Sequence, residues 1–241
     1  MRTVVLVSSI RSTLLVIGAV GALCLAGQAQ TIVDTQTDFS LLGQGINGLQ
    51  YGYYDSPGLT GSFTTANMVA NPVGRWEGPY GDQTPVFSPT LTHEAVDSSG
   101  GVIFSSVRRF TDGNGIGPSY TGNAEIVFQI WKTPFGSVGN GVDAFITYNG
   151  VNIFETRIPN GSTQANPFVS SQISIHLAPG DTIDFGITDS TRDGISDVVG
   201  FTAQVNAVPE PSLLSLVGFG FPVLAIYGMR LSFGKNVSLK R

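Results

Sequence analysis

The chain has 241 residues, 12 Lys plus Arg against 17 Asp plus Glu, and one cysteine. Six of the basic residues (Arg75, Arg108, Arg109, Lys132, Arg157, Arg192) and 16 of the acids fall between positions 30 and 208. That stretch repels nucleic acid and anionic lipid, whose recognition draws on clustered cations. Cys24 lies in the leading apolar segment, so the body has neither a disulfide nor thiolate chemistry.

At the start of the chain, Met1, Arg2 and Arg11 precede an apolar stretch from Leu14 to Gly27, with small residues at Gly27 and Ala29. This pattern predicts a secretory signal peptide over 1–29, cut by signal peptidase after Ala29. A lipoprotein signal is rejected because Leu23, not a small residue, precedes Cys24. Residues 30–207 are then long enough for one domain with a sizeable core.

In the first half of this body, Leu49 to Tyr54, Gly61 to Thr65 and Val102 to Phe110 read as strands. Loops containing Asp55-Ser56-Pro57-Gly58, Pro79, Pro85, Pro89 and Asp112-Gly113-Asn114-Gly115 separate them. Arg108 and Arg109, adjacent on a strand, point to opposite faces. The second half is more regular. Ala124, Ile126, Phe128 and Ile130 alternate with a polar face that carries Glu125, Gln129 and Trp131. Val142, Ala144, Ile146 and Tyr148 repeat the pattern. Asn149-Gly150 then supplies the two positive-φ residues of a tight hairpin, and Val151 to Ile158 is the returning strand. After a turn at Pro159-Asn160-Gly161, Ile173, Ile175 and Leu177 alternate. Ala178-Pro179-Gly180-Asp181 turns the chain again, and strands with Ile183, Phe185, Ile187 and with Val199, Phe201, Ala203, Val205 follow. There is no helical apolar stripe outside the two ends and no repeat of fixed period. The expected fold is all-β: an antiparallel β-sandwich, jelly-roll-like, flanked by the signal peptide and a C-terminal transmembrane helix.

Exposed rings stack on the C–H faces of sugars, which makes Trp76, Trp131, Tyr51, Tyr53 and Tyr80 the candidate glycan-binding residues. The competing account of each ring is core packing between sheets. Asp181, Asp184, Asp189, Asp193 and Asp197 carry oxygens that suit calcium, with Asp189, Asp193 and Asp197 the closest set. Their spacing is not that of an EF-hand loop, and the favoured account is solvated turns whose aspartates cap loops through their own backbone. His176 alternates with Ile175 and Leu177 and faces away from the core, whereas His93-Glu94 follows a proline-rich loop. No metalloprotease, Gly-x-Ser-x-Gly, phosphate-loop or dinucleotide motif occurs. No cofactor is expected. The pair Asp181 and Asp184 could serve glycoside hydrolysis only at a particular carboxyl separation.

The chain ends with Val208-Pro209-Glu210-Pro211-Ser212, an apolar run from Leu213 to Met229, and a tail over 230–241 holding Arg230, Lys235, Lys240 and Arg241. As a helix the run is roughly 26 Å long, just able to span a bilayer. The basic tail belongs on the cytoplasmic side and the body outside. The prolines make the motif a stiff, non-helical spacer that a peptidase could bind as a strand. In this order the three parts resemble the PEP-CTERM sorting signal of Gram-negative bacteria that make extracellular polysaccharide. The resemblance implies recognition by an integral-membrane exosortase and processing on the way to the cell surface. The commonest pattern differs in two respects, since Pro222 interrupts the helix and the end after Arg230 is longer.

The body in turn resembles ectodomains that accompany such tails, sandwiches similar to carbohydrate-binding modules. The matching stretches are Asp38-Phe39-Ser40, Tyr51-Gly52-Tyr53-Tyr54, Asn149-Gly150 and Ala178 to Phe185. Leu49 stands where a tryptophan is expected. The expected function is non-enzymatic: a structural or glycan-binding surface protein in an extracellular polysaccharide matrix. A secreted glycoside-active hydrolase is the alternative, and an inert spacer a third reading.

Overall fold

The computed structural model describes residues 29–55, 59, 61–78, 85–93, 95–96, 103–113, 119–133, 142–159, 162–163, 165–169, 172–188 and 198–209. Residues 30–208 form one unit built of strands. These are β1 (Thr31–Asp34), β2 (Leu49–Tyr54), β3 (Phe63–Thr64), β4 (Val69–Asn71), β5 (Arg75–Glu77), β6 (Val86–Phe87), β7 (Leu91–His93), β8 (Ala95–Val96) and β9 (Ile103–Phe104). They continue with β10 (Ser106–Thr111), β11 (Gly122–Lys132), β12 (Val142–Tyr148), β13 (Val151–Ile158), β14 (Phe168–Val169), β15 (Ile173–Leu177), β16 (Thr182–Thr188) and β17 (Val198–Ala207). Among the described residues the only helical element is a 3-10 turn at Ile46–Gly48, and no helix is long and apolar enough to cross a membrane. The signal peptide through residue 28, Glu210, Pro211, Ser212, the expected spanning run 213–229 and the basic tail 230–241 lie outside the described residues.

Two antiparallel sheets make the sandwich. The nine-stranded sheet runs β14-β11-β17-β7-β6-β5-β4, with β1 also on β17 and β15 also on β11. The six-stranded sheet runs β13-β12-β16-β10-β2-β3, and β8 and β9 form a separate ribbon. Alternation sets which side chains meet. On β11, Ala124, Ile126, Phe128 and Ile130 are buried while Asn123 and Gln129 are exposed. The partner strand matches residue for residue, Ile126 opposite Val205, Phe128 opposite Ala203 and Ile130 opposite Phe201. Phe128 then meets Phe154 of the opposite sheet edge-on, centroids 4.9 Å apart, and Phe185 meets Phe201 at 6.1 Å. Each such side chain contributes about 1.5–3 kcal/mol by leaving water.

The β12–β13 hairpin closes through Asn149 and Gly150, with φ of 51° and 76°, the positive pair that matches the twist of the flanking strands. Two expected strands come out differently. The Gly61–Thr65 strand shrinks to β3, and the Val102–Phe110 run splits at Ser105 into β9 and β10. Ser105 is buried and its carbonyl accepts the Tyr54 amide (3.1 Å), whereas β9 turns away to pair with β8. The body's two ends meet on the nine-stranded sheet: the Ala207 amide donates to the Gln30 carbonyl and the Val208 amide to the Asn123 carbonyl, both at 2.8 Å.

Candidate functional site

Strands β1, β11 and β17 lie side by side, and alternation turns every second side chain of each to the outer face. Their register lines these residues up in rows. Gln129 stands opposite Thr202, Val127 opposite Gln204 with Asp34 beyond it, and Glu125 opposite Asn206 with Thr31 beyond. Between the first two rows lies a cleft of ≈ 250 Å³, whose lining includes Asp34, Gln36, Val127, Gln129, Thr202 and Gln204.

The polar groups here are pre-positioned. Asp34 Oδ1 accepts the amides of Gln36 (2.8 Å) and Thr37 (3.3 Å), a turn that folds the chain after β1 over the sheet. Its Oδ2 accepts Gln204 Nε2 at 2.7 Å and so orients that amide. Thr31 Oγ1 donates to Asn206 Oδ1 (3.0 Å) and Gln172 Nε2 to Glu125 Oε2 (2.9 Å). This is a rigid strip of amide, hydroxyl and carboxylate groups on a sheet, the donor and acceptor set that pairs with hydroxyl groups. It holds no nucleophile–base pair.

The four described aromatic candidates are buried. Tyr51 is 1% exposed and lies between the sheets among Phe39, Trp76 and Phe87. Burial pushes its hydroxyl up to about 12. Trp76, 5% exposed, donates Nε1–H to the Ser40 carbonyl at 2.8 Å. Tyr53, 4% exposed, packs edge-on against Phe104. Trp131 does stand on the outer face, as the alternation predicts, but keeps only 8% of its surface because its ring lies flat where Gly200 has no side chain. A Cβ at residue 200 would come within 2.0 Å of the ring. Large rings are thus the filler of this sandwich, the competing account given above. Tyr80 lies outside the described residues.

Of the acidic candidates, Asp181 and Asp184 are likewise engaged. Asp184 accepts Arg109 Nε (2.6 Å) and Nη2 (2.7 Å), the Tyr54 hydroxyl (2.7 Å) and Thr147 Oγ1 (3.2 Å). Phe63 caps this network, its ring centroid 4.1 Å from the Arg109 guanidinium. Burial, then the charge of Asp184, raises the Tyr54 hydroxyl, which therefore remains a donor. Asp181 accepts the Tyr148 hydroxyl, Asn149 Nδ2 (2.8 Å) and the Ala178 amide (2.8 Å). Burial opposes its charge, and these bonds outweigh that and lower its pKa. Neither carboxylate offers the free oxygens that metal ligation or glycoside cleavage needs. Among the described residues no three His, Cys, Asp or Glu side chains converge as metal ligands, and Asp189, Asp193 and Asp197 lie outside them. His176 is exposed, its Nδ1 3.3 Å from Asn123 Oδ1, and His93 sits in β7.

Sequence reasoning missed two buried groups. Arg108 is fully enclosed, with no carboxylate partner among the described residues. It donates to the carbonyls of Thr35 (3.3 Å), Ser88 (2.9 Å), Pro89 (3.3 Å) and Leu91 (2.9 Å) and to Thr92 Oγ1 (2.8 Å). Phe87 and Phe201 flank it. Burial brings its pKa down to about 10, still far above neutral, so it stays a cation. Asp112 is also enclosed. Its Oδ1 accepts the Tyr120 amide (2.9 Å) while Oδ2 has no partner among the described residues, and burial raises its pKa.

No protein-family model matches the chain, and no curated protein sequence matches it. Among solved structures it is similar to a family 35 carbohydrate binding module from an environmental isolate, at 13% identity and a TM-score of 0.30. That match covers 55% of this chain and 85% of the module. A family 35 module from Clostridium thermocellum matches at 12% identity and a TM-score of 0.29, covering 59% and 89%. A beta-glucosidase from Kluyveromyces marxianus in complex with glucose matches at 12% and 0.34, covering 73% of this chain and 18% of the enzyme. At these scores, the sandwich assignment rests on the strand order and register given above.

Proposed function

We propose that this chain is an exported surface protein that holds extracellular polysaccharide on the β1–β11–β17 face and catalyses nothing itself. The observation that carries this reading is the polar cleft: amides, a hydroxyl and an oriented carboxylate on a rigid sheet, with the candidate acid pair tied up elsewhere. The targeting signals agree with it. In this reading signal peptidase removes 1–29, the body 30–207 folds outside the inner membrane, and exosortase acts on Val208-Pro209-Glu210-Pro211-Ser212 while the 213–229 helix holds the precursor. The mature protein resides at the cell surface or in the matrix.

A glycan array combined with a hydrolase screen on the full chain tests the function. Binding without turnover supports the reading, and release of shorter sugars instead establishes the glycoside-active alternative. Replacing Pro209-Glu210-Pro211 by alanines in a host that has exosortase tests the sorting. Uncleaved membrane precursor is expected, and unchanged maturation would refute that part.

A further inference from the structure

We infer that the cleft between β1, β11 and β17 selects uncharged glycans and turns away uronate-bearing ones. This rests on the polysaccharide-binding reading and adds the ligand's chemical class. Three amides, Gln36, Gln129 and Gln204, line the cleft together with the single carboxylate of Asp34, and the Thr202 hydroxyl stands opposite Gln129. An amide offers two N–H donors and a carbonyl, so a sugar hydroxyl finds a partner for its proton and for its oxygen alike. A sugar carboxylate is acceptor-only, and its strong partners are guanidinium, ammonium or a run of amide N–H groups. None of the outward positions on β1, β11 or β17 is lysine or arginine.

Two cations of the body are buried. Lys132 ends β11 buried, and Arg108 is enclosed between the sheets. Asp34 is already directed into the cleft, its Oδ2 2.7 Å from Gln204 Nε2. Glu125 stands one row along on the same face, opposite Asn206. Among the described residues, a uronate seated here meets two like charges, and no Lys or Arg stands among the outward positions of these strands. Such juxtaposition is among the stronger ways an interface rejects a ligand.

The test uses the full chain in detergent at low salt. Its affinity for neutral polymers (xyloglucan, a mixed-linkage glucan, galactomannan) is compared with that for polygalacturonate and alginate. The expected result is binding to at least one neutral polymer, with both uronates at least about tenfold weaker. Gln129→Ala should weaken the neutral polymer at least about fivefold, through loss of about one hydrogen bond. Gln129→Lys, at an exposed position, should bring uronate binding up with an unchanged melting temperature. Uronates bound as tightly as neutral polymers overturn the selection and leave the polysaccharide reading standing. Neutral binding that neither Gln129 variant alters removes it from this cleft. Absence of binding to either class defeats the polysaccharide reading itself.

Discussion

Arg108 joins the two sheets from inside, and replacing it should show how much of the sandwich depends on that join. The side chain rises from β10 of the six-stranded sheet. Its acceptors sit on the other: Thr35 just after β1, the Ser88–Leu91 turn, and Thr92 in β7. Arg108→Met keeps much of the buried volume but leaves four carbonyls and a hydroxyl without their donor. The five stranded groups cost about 1–2 kcal/mol each, roughly 7 kcal/mol together. Against this, a guanidinium no longer has to leave water, a saving of about 4 kcal/mol. The balance is a loss of about 3 kcal/mol, which for a body of this size lowers the melting temperature by roughly 6–12 °C. Arg108→Lys should lose about 2 kcal/mol although the charge stays, because one ammonium with three donors cannot reach acceptors spread around a planar fork. Thr92→Val, which removes one acceptor, should cost only about 1 kcal/mol. Thermal unfolding followed by near-ultraviolet circular dichroism reports all three through the buried Trp76 and Trp131. If Arg108→Met melts within about 2 °C of the parent, the guanidinium bonds do not hold the sheets together and the reasoning fails.

Asp184→Ala deprives Arg109, Tyr54 and Thr147 of their shared acceptor and should cost about 2–3 kcal/mol in urea denaturation, part of it recovered because Arg109 is partly exposed and can rehydrate. Gly186→Ala places a methyl group 2.0 Å from the Phe145 ring, and overpacking of this kind should lower the unfolding free energy from urea denaturation by about 1–3 kcal/mol; a neutral result would show that the ring can swing away. Asp112 has a raised folded-state pKa, so the folded protein holds that proton more tightly than the unfolded chain does. Its contribution is therefore complete below the ordinary aspartate range and is lost as pH rises through the raised value. Asp112→Asn should flatten that part of the stability–pH curve, which denaturation midpoints measured across the acid range will show.

The second half of the body was legible because its strands are long and half-buried, so period-two alternation is written out in full. On β11 it correctly separated Ile126, Phe128 and Ile130 from Glu125, Gln129 and Trp131, and with them two residues of the candidate face. The Asn149-Gly150 turn was equally plain, its φ requirement being nearly exclusive to such pairs. Strands of two or three residues such as β4 to β7 show no period, and the prolines beside them read as loop. Strand β1 escaped for the same reason, and Asp34 and Gln36 went with it. Thr202 and Gln204 were implied by the alternation of Val199, Phe201, Ala203 and Val205, but only the pairing of β17 with β1 and β11 turns them into a cleft. Burial of Tyr51, Tyr53 and Trp76 was hidden for a different reason, because residue type alone does not tell a buried ring from an exposed one.

Strand β17 is where the body hands over to the segment beginning at Pro209, and the Val208 amide is still bonded to β11 when it does so. A pull on residue 209 therefore reaches the sheet without any slack to take up first. It acts along the axis of a strand whose register with β11 runs from Ala207 to Val199 and which is also held by β1 and β7. Load in that direction is shared by many ladder bonds in shear, instead of opening them one after another as peeling an edge would. If polysaccharide binds there as proposed, polymer held on the outer side of the same two strands would tug against the same ladder, and the drag would pass along β17 without crossing the hydrophobic core.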